Sequence, residues 1–302
     1  MKCPHCHNDE VPAEAKFCPF CGHKIEDSKP NPGPTPRLIV TTSLAGAAIR
    51  PFYWFFDKIN LIAGVNELPL SLNPDLAKGF KFCRHPENVV SVDMQYFEPN
   101  GLLSFNSMFA GCCNMTEVNL SGLKTVESVS CYEMFKTCYN LKTLDLSPIN
   151  TSRVTSFHWM FCGCGSLGKL DVSGFDTSAC MSFNSMFDHC SKLENIDVSS
   201  WNTENVEVLS SMFSHCSSLR SLDLSNFRTP KCTAAVSMFN GCDWLEHIDM
   251  SGIDFSKCQT LGDMFAGCTQ LKEVRLYGCN NRTVDLVAQS LATYCPSAKI
   301  IR

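Results

Sequence analysis

The sequence predicts an α/β solenoid, with one parallel strand and one short helix per 26-residue turn, preceded by a small metal-bound ribbon. Three observations carry this. Met-Phe pairs stand at 108–109, 134–135, 160–161, 186–187, 212–213, 238–239 and 264–265, every interval being 26. A cysteine follows each pair at one offset: Cys112, Cys138, Cys164, Cys190, Cys216, Cys242 and Cys268. Ahead of the repeats, four cysteines are spaced C-x2-C-x11-C-x2-C.

The ribbon comes first in the chain, over residues 1–25. Cys3, Cys6, Cys18 and Cys21 are its ligands. Each C-x2-C turn aims two thiolates at one point, and two such turns complete a tetrahedron. With all four positions filled by protein, the site is structural and closed, and thiolate preference selects one Zn2+. A segment this short holds no core of its own, so the metal supplies most of its folding energy. It resembles the short zinc ribbons at the N-termini of many bacterial proteins. Gly22 fills the usual knuckle position, whereas His7 replaces the glycine of the first knuckle. Redox or disulfide use of the pairs is disfavoured, because no thioredoxin-like βαβ pattern surrounds them.

Residues 26–37 form a linker. Pro30, Pro32, Pro34 and Pro36 alternate with Asn31, Gly33 and Thr35, a pattern that tends to polyproline II and holds the ribbon apart from the repeats. Residues 38–81 read as an N-terminal cap with a degenerate repeat, 82–280 as the solenoid, and 281–302 as a C-terminal cap. In that last segment Thr283 to Tyr294 is expected as a helix and Lys299 to Arg302 as a strand.

Within each turn the pattern divides in two. Phe157, Met160, Phe161 and Cys164 fall at i, i+3, i+4 and i+7, as do Phe183, Met186, Phe187 and Cys190, the spacing of one helix face. An alternating stretch comes next, such as Leu144-Asp145-Leu146-Ser147 or Leu222-Asp223-Leu224-Ser225, with leucines in and Asp and Ser out. Eight in-phase turns at ~4.8 Å each would give a concave sheet roughly 40 Å long.

The copy at 212–229, MFSHCSSLRSLDLSNFRT, and its relatives resemble the BspA-like bacterial leucine-rich repeats, over about residues 50–280. That resemblance implies a protein-interaction or adhesion role, usually at the cell surface, and brings no catalytic residues. The start, Met1-Lys2-Cys3-Pro4-His5-Cys6, lacks a secretory pattern and points instead to the cytoplasm.

The bulk numbers agree with a binding protein. The chain has 302 residues, with 44% hydrophobic and 18% charged residues, a globular balance. Its formal net charge of −5 argues against general affinity for nucleic acid or anionic membrane. The longest apolar run, Leu38 to Ile49, is too short to span a bilayer. Twenty cysteines would suggest a disulfide framework in a short secreted domain, but here most sit in the metal pattern or at repeat positions. The repeat cysteines are expected as small buried hydrophobes in the reduced form, with neighbouring helices ~10 Å apart, too far for disulfides.

Two constellations suit an ion. Asp145, Asp171, Asp197, Asp223 and Asp249 form a carboxylate column that suits calcium or a basic partner. The preferred reading is a solvated face tuned by Ser147, Ser173, Ser199, Ser225 and Ser251. His189 and His215 precede Cys190 and Cys216 on adjacent turns, at a position held by Gly111, Gly163, Gly241 and Gly267 elsewhere; the histidines are expected to point outward and the cysteines inward. Among the tryptophans, Trp201 shares a core position with Phe175 and Phe227. Trp159 and Trp244 occupy positions held elsewhere by small polar residues and are expected to be at least partly exposed. No catalytic motif with supporting context is present. The expectation is therefore a non-enzymatic protein that offers its solenoid surface to a protein or glycan. The alternative is a cytoplasmic regulator whose ribbon contacts nucleic acid or a nucleic-acid enzyme.

Overall fold

The structure, a computed structural model, describes residues 37–42, 48–49, 59–60, 64–69, 86–96, 104–123 and 128–302. All of these lie in the unit Pro36–Arg302. The expected ribbon with Cys3, Cys6, Cys18 and Cys21, and all but the last residue of the expected linker, lie outside them.

The described residues form a parallel β-solenoid of about eight turns. Strands β1 (Arg37–Thr42) and β4 (Gly64–Pro69) pair antiparallel, Arg37 opposite Pro69. A small antiparallel pair, β2 (Ala48–Ile49) and β3 (Ile59–Asn60), lies between them in sequence. β1 also pairs antiparallel with β5 (Val89–Asp93), whose other side begins the parallel stack with β6 (Glu117–Asn119). The outer edge of the first solenoid strand is thus covered within the chain, which keeps it from pairing with another molecule.

At the far end β7 (Ser221–Asp223), β8 (His247–Asp249), β9 (Glu273–Arg275) and β10 (Lys299–Ile301) run parallel. Their register is Ser221, His247, Glu273, Lys299, one 26-residue period per step. Helix α1 (Asn281–Tyr294) packs Val284, Leu286, Val287 and Leu291 onto the core. Asn280 caps it by accepting from the Thr283 N–H at 2.8 Å.

One helix per turn was expected, and the structure corrects this: α1 is the one α-helix among the described residues. Each Phe-x-x-Met-Phe-x-x-Cys segment is instead a run of overlapping tight turns. Met160, Cys162 and Cys164 donate their N–H groups to the carbonyls three residues back, at 3.1, 3.2 and 2.9 Å. The N–H groups between them, on Phe157, Trp159, Phe161 and Gly163, cross to Ser182, Asn184, Met186 and Asp188 of the next turn, at 2.7–3.0 Å. Two left-handed residues per turn produce the alternation. Ser107, Glu133, Trp159, Ser185, Ser211 and Ser237 have φ of 53–57°, and the left-handed residues at the position four later, among them Gly111, His215 and Gly267, have φ of 56–81°. A left-handed residue interrupts an α-helix. Consecutive turns return apolar side chains to one side every three or four residues, as a helix does, so the periodicities coincide.

The turns are also closer together than helices would be. Phe109, Phe135, Phe161, Phe187, Phe213, Phe239 and Phe265 stack face to face along the core with centroids 5.2–6.1 Å apart. Such rings contribute beyond the area they bury. Distance therefore does not separate the cysteines of adjacent turns, contrary to the ~10 Å expectation; Cys232 and Cys258 approach to 4.0 Å between sulfurs. Every cysteine among the described residues is nonetheless a free thiol.

The expected continuous strand face is interrupted. Between β6 and β7 the segments 143–145, 169–171 and 195–197 are not strands, while the other flank stays closed through the parallel bridges Ser156–Ser182, Ser182–Val208 and Val208–Ala234. Side chains substitute on the open flank. The Trp201 indole N–H donates to the Val172 carbonyl at 3.2 Å, and the Asn226 amide to Val198 at 2.9 Å.

Candidate functional site

The repeat cysteines are inward and buried, as expected, but they also donate hydrogen bonds. The thiols of Cys138, Cys164, Cys190, Cys216, Cys242 and Cys268 point at the carbonyls of Phe109, Phe135, Phe161, Phe187, Phe213 and Phe239, at 3.0–3.2 Å. Burial pushes these thiols up, Cys242 to about 12, so they stay protonated and unreactive.

The carboxylate column is committed to local structure. Asp145, Asp171, Asp197, Asp223 and Asp249 each accept the N–H of the serine two residues on, at 2.9 Å. These are Asx turns that shape the corner after each strand position. The Ser173 hydroxyl adds a bond to Asp171 at 2.7 Å, and Ser173 holds the Asp171 carboxyl below the usual carboxylate range.

His189 and His215 point outward, with ring centroids 4.3 Å apart. Asp188 accepts from His189 Nδ1 at 2.7 Å, and its other oxygen lies 3.9 Å from the Cys162 thiol. Burial and this carboxylate push the Cys162 thiol up to about 11. The thiol faces a carboxylate rather than an imidazole, an arrangement that does not activate a nucleophile. Among the described residues no three metal-donor side chains converge on one point.

The repeats match a family of known extent. A family described as "Mycoplasma protein of unknown function, DUF285" matches residues 75–193 and 166–277, well over half of the chain. The chain belongs to this family. No curated protein matches it.

In this DUF285 solenoid two tryptophans also depart from the repeat at the surface. Trp159 has φ of 57° where four other turns carry serine, and it packs with Tyr132 and His158 at centroid distances of 5.8 and 4.3 Å. Lys136 Nζ lies 4.0 Å above its ring, and Asn184 contacts His158 Nε2 at 2.7 Å. Trp159 is thus half-buried in a closed cluster. Trp244 is different: it is 52% exposed, and the Arg220 guanidinium stands 5.1 Å from its ring centre. Trp201 is 3% exposed, in the core as its column implies.

Sequence reasoning missed a ladder of buried threonines. Thr151, Thr177, Thr203 and Thr229 each donate to a carbonyl of the next turn at 2.8–3.1 Å and accept the N–H of the same residue at 2.8–2.9 Å. The signal lay in the sequence: threonine recurs at a strict 26-residue interval, two residues after a large apolar residue.

Proposed function

We propose that the chain is a non-enzymatic interaction protein, a BspA-like solenoid that presents its surface to a protein or glycan partner. A structural ribbon in which Cys3, Cys6, Cys18 and Cys21 hold one Zn2+ forms a second module. The observation that carries this reading is Trp244 with Arg220. Column neighbours of Trp244 are Asn114, Asn140, Ser166, Lys192, Ser218 and Gln270, so nothing in the repeat requires an indole there. Half of it faces solvent, and an arginine lines its face. Binding energy concentrates on tryptophan and arginine more than on other residue types. The interior thiols and threonines, and the surface carboxylate column, support the same reading, because they are spent on joining and shaping turns. Among the described residues no helix is long and apolar enough to cross a membrane.

The test immobilises the full chain and compares retention of material from the source cells by wild type, Trp244→Ala and Arg220→Ala. Retention of one defined protein or glycan, reduced about tenfold or more by either substitution at unchanged Tm, is expected. Equal retention by all three would remove Trp244 and Arg220 as the contact.

A further inference from the structure

The adjacent histidines carry an inference that the interaction role does not need. His189 and His215 occupy one repeat position on consecutive turns, in the left-handed conformation, with φ of 60° and 56°. At that position Gly111, Gly163, Gly241 and Gly267 have φ of 71–81°, so the backbone asks for glycine and tolerates histidine at a cost. Two imidazoles therefore stand side by side where the fold has no use for either.

Their surroundings fix which nitrogens are available. A carboxylate only accepts hydrogen bonds, so Asp188, 2.7 Å from His189 Nδ1, holds the proton on that nitrogen and leaves Nε2 with its lone pair. The second Asp188 oxygen is engaged by the Cys162 thiol at 3.9 Å, which steadies the carboxylate. His215 lies with its Nδ1 side against Gly241, where a β-carbon would collide with that nitrogen. Its Nε2 then faces away from the backbone of the next turn. A carboxylate behind a ligating histidine is the arrangement that orients imidazoles at metal centres.

Distance permits a shared ion. Metal–imidazole bonds of about 2.0–2.1 Å place two ligating nitrogens at most about 4.2 Å apart. The ring centroids are 4.3 Å apart and the ring planes differ by 38°. The centroid spacing is close to that limit, and both rings are exposed on one side of the solenoid surface. We propose that His189 and His215 bind one late first-row divalent transition ion through their Nε2 atoms. Asp188 acts as a positioning residue, and water fills the remaining coordination positions. Imidazole selects zinc, nickel and copper over magnesium and calcium. The ion would tie two consecutive turns together at the protein surface.

The test uses the full chain given one equivalent of Zn2+ for the four-cysteine ribbon and no excess zinc, and Ni2+ as the probe in calorimetric titration. The variants are His189→Gly, His215→Gly and the double substitution, since glycine is what most other turns carry at this position. Wild type is expected to take up one Ni2+ that each single variant binds about tenfold or more weakly and the double variant does not bind. Asp188→Asn should weaken the same event while leaving its stoichiometry unchanged. Ni2+ should also raise the Tm of wild type and leave that of the double variant unmoved. Identical Ni2+ uptake by wild type and the double variant would overturn the proposal, as would full retention of the event in either single variant.

Discussion

The Cys164 thiol donates to the Phe135 carbonyl on the preceding turn at 3.1 Å, and that carbonyl also accepts the Cys138 N–H at 3.1 Å. One oxygen thus closes a tight turn and receives a side chain from the neighbouring turn. Cys164→Ala removes the second bond and leaves a small void, and should destabilise the protein by roughly 1–3 kcal/mol. Cys164→Val fills the void without restoring the donor and should recover part of that loss. Chemical denaturation of the three proteins measures the difference.

The same thiols set an alkaline limit. Burial raises the pKa of Cys112, Cys164 and Cys242 above that of an unfolded cysteine. Their contribution is therefore complete below the unfolded value, about 8.5, and declines as pH rises above it, because the unfolded chain loses the protons first. Tm should fall progressively between about pH 8.5 and 11, and less steeply once several column cysteines are replaced by valine. A Tm independent of alkaline pH would contradict protonated, buried thiols.

Thr203 is a sharper case. Its hydroxyl donates to the Arg228 carbonyl at 3.0 Å and accepts the Arg228 N–H at 2.8 Å. Thr203→Val keeps the shape and orphans both backbone groups, and should lower stability by roughly 2–4 kcal/mol. Thr203→Ser keeps the bonds and should lose clearly less. If valine and serine behave alike, the hydroxyl is not what joins these turns.

Trp159, Trp201 and Trp244 should separate by burial. Trp201 stacks on Phe183 at 4.7 Å and its indole N–H replaces a missing backbone bond, so Trp201→Ala should cost roughly 3–5 kcal/mol. Trp244→Ala should stay within about 0.5 kcal/mol. Trp159→Ser, the residue that four other turns use, loses its packing with Tyr132 but keeps the residue type the turn accommodates elsewhere, and should cost roughly 1 kcal/mol. Thermal melts of the three variants check the order.

For the ribbon, metal analysis of chain purified without chelator should give one zinc, or two ions if the histidine pair is also occupied. If the proposed ribbon zinc supplies the ribbon's folding energy, Cys18→Ser should remove it and leave the solenoid melt unchanged. A disturbed solenoid melt would show that the two modules are not independent.

Much of the solenoid was legible because its period is strict. Any residue recurring every 26 positions stacks on itself, so the Phe, Met and Cys columns and the core place of Trp201 followed from alignment of the chain with itself. The helix was misread because spacing alone cannot separate a helix face from overlapping turns. Composition held the correction: Phe183-Asn184-Ser185-Met186-Phe187-Asp188-His189-Cys190 is dominated by weak helix formers. Outward histidines were legible from the glycines that share their position. Their approach to one another was not, because it depends on the short distance between turns that the helix assumption concealed.

The crossing hydrogen bonds have a consequence for how such chains change in length. Phe157, Trp159, Phe161 and Gly163 find their acceptors one period further along, and so do their counterparts on other turns. An insertion or deletion of one or a few residues inside the stack would put each donor whose acceptor lies across it out of phase, while gain or loss of a complete 26-residue unit leaves all pairings intact. Descendants of this chain are free to lengthen or shorten in whole quanta, by duplication or excision of DNA segments encoding one period, with the two end pieces carried along unchanged.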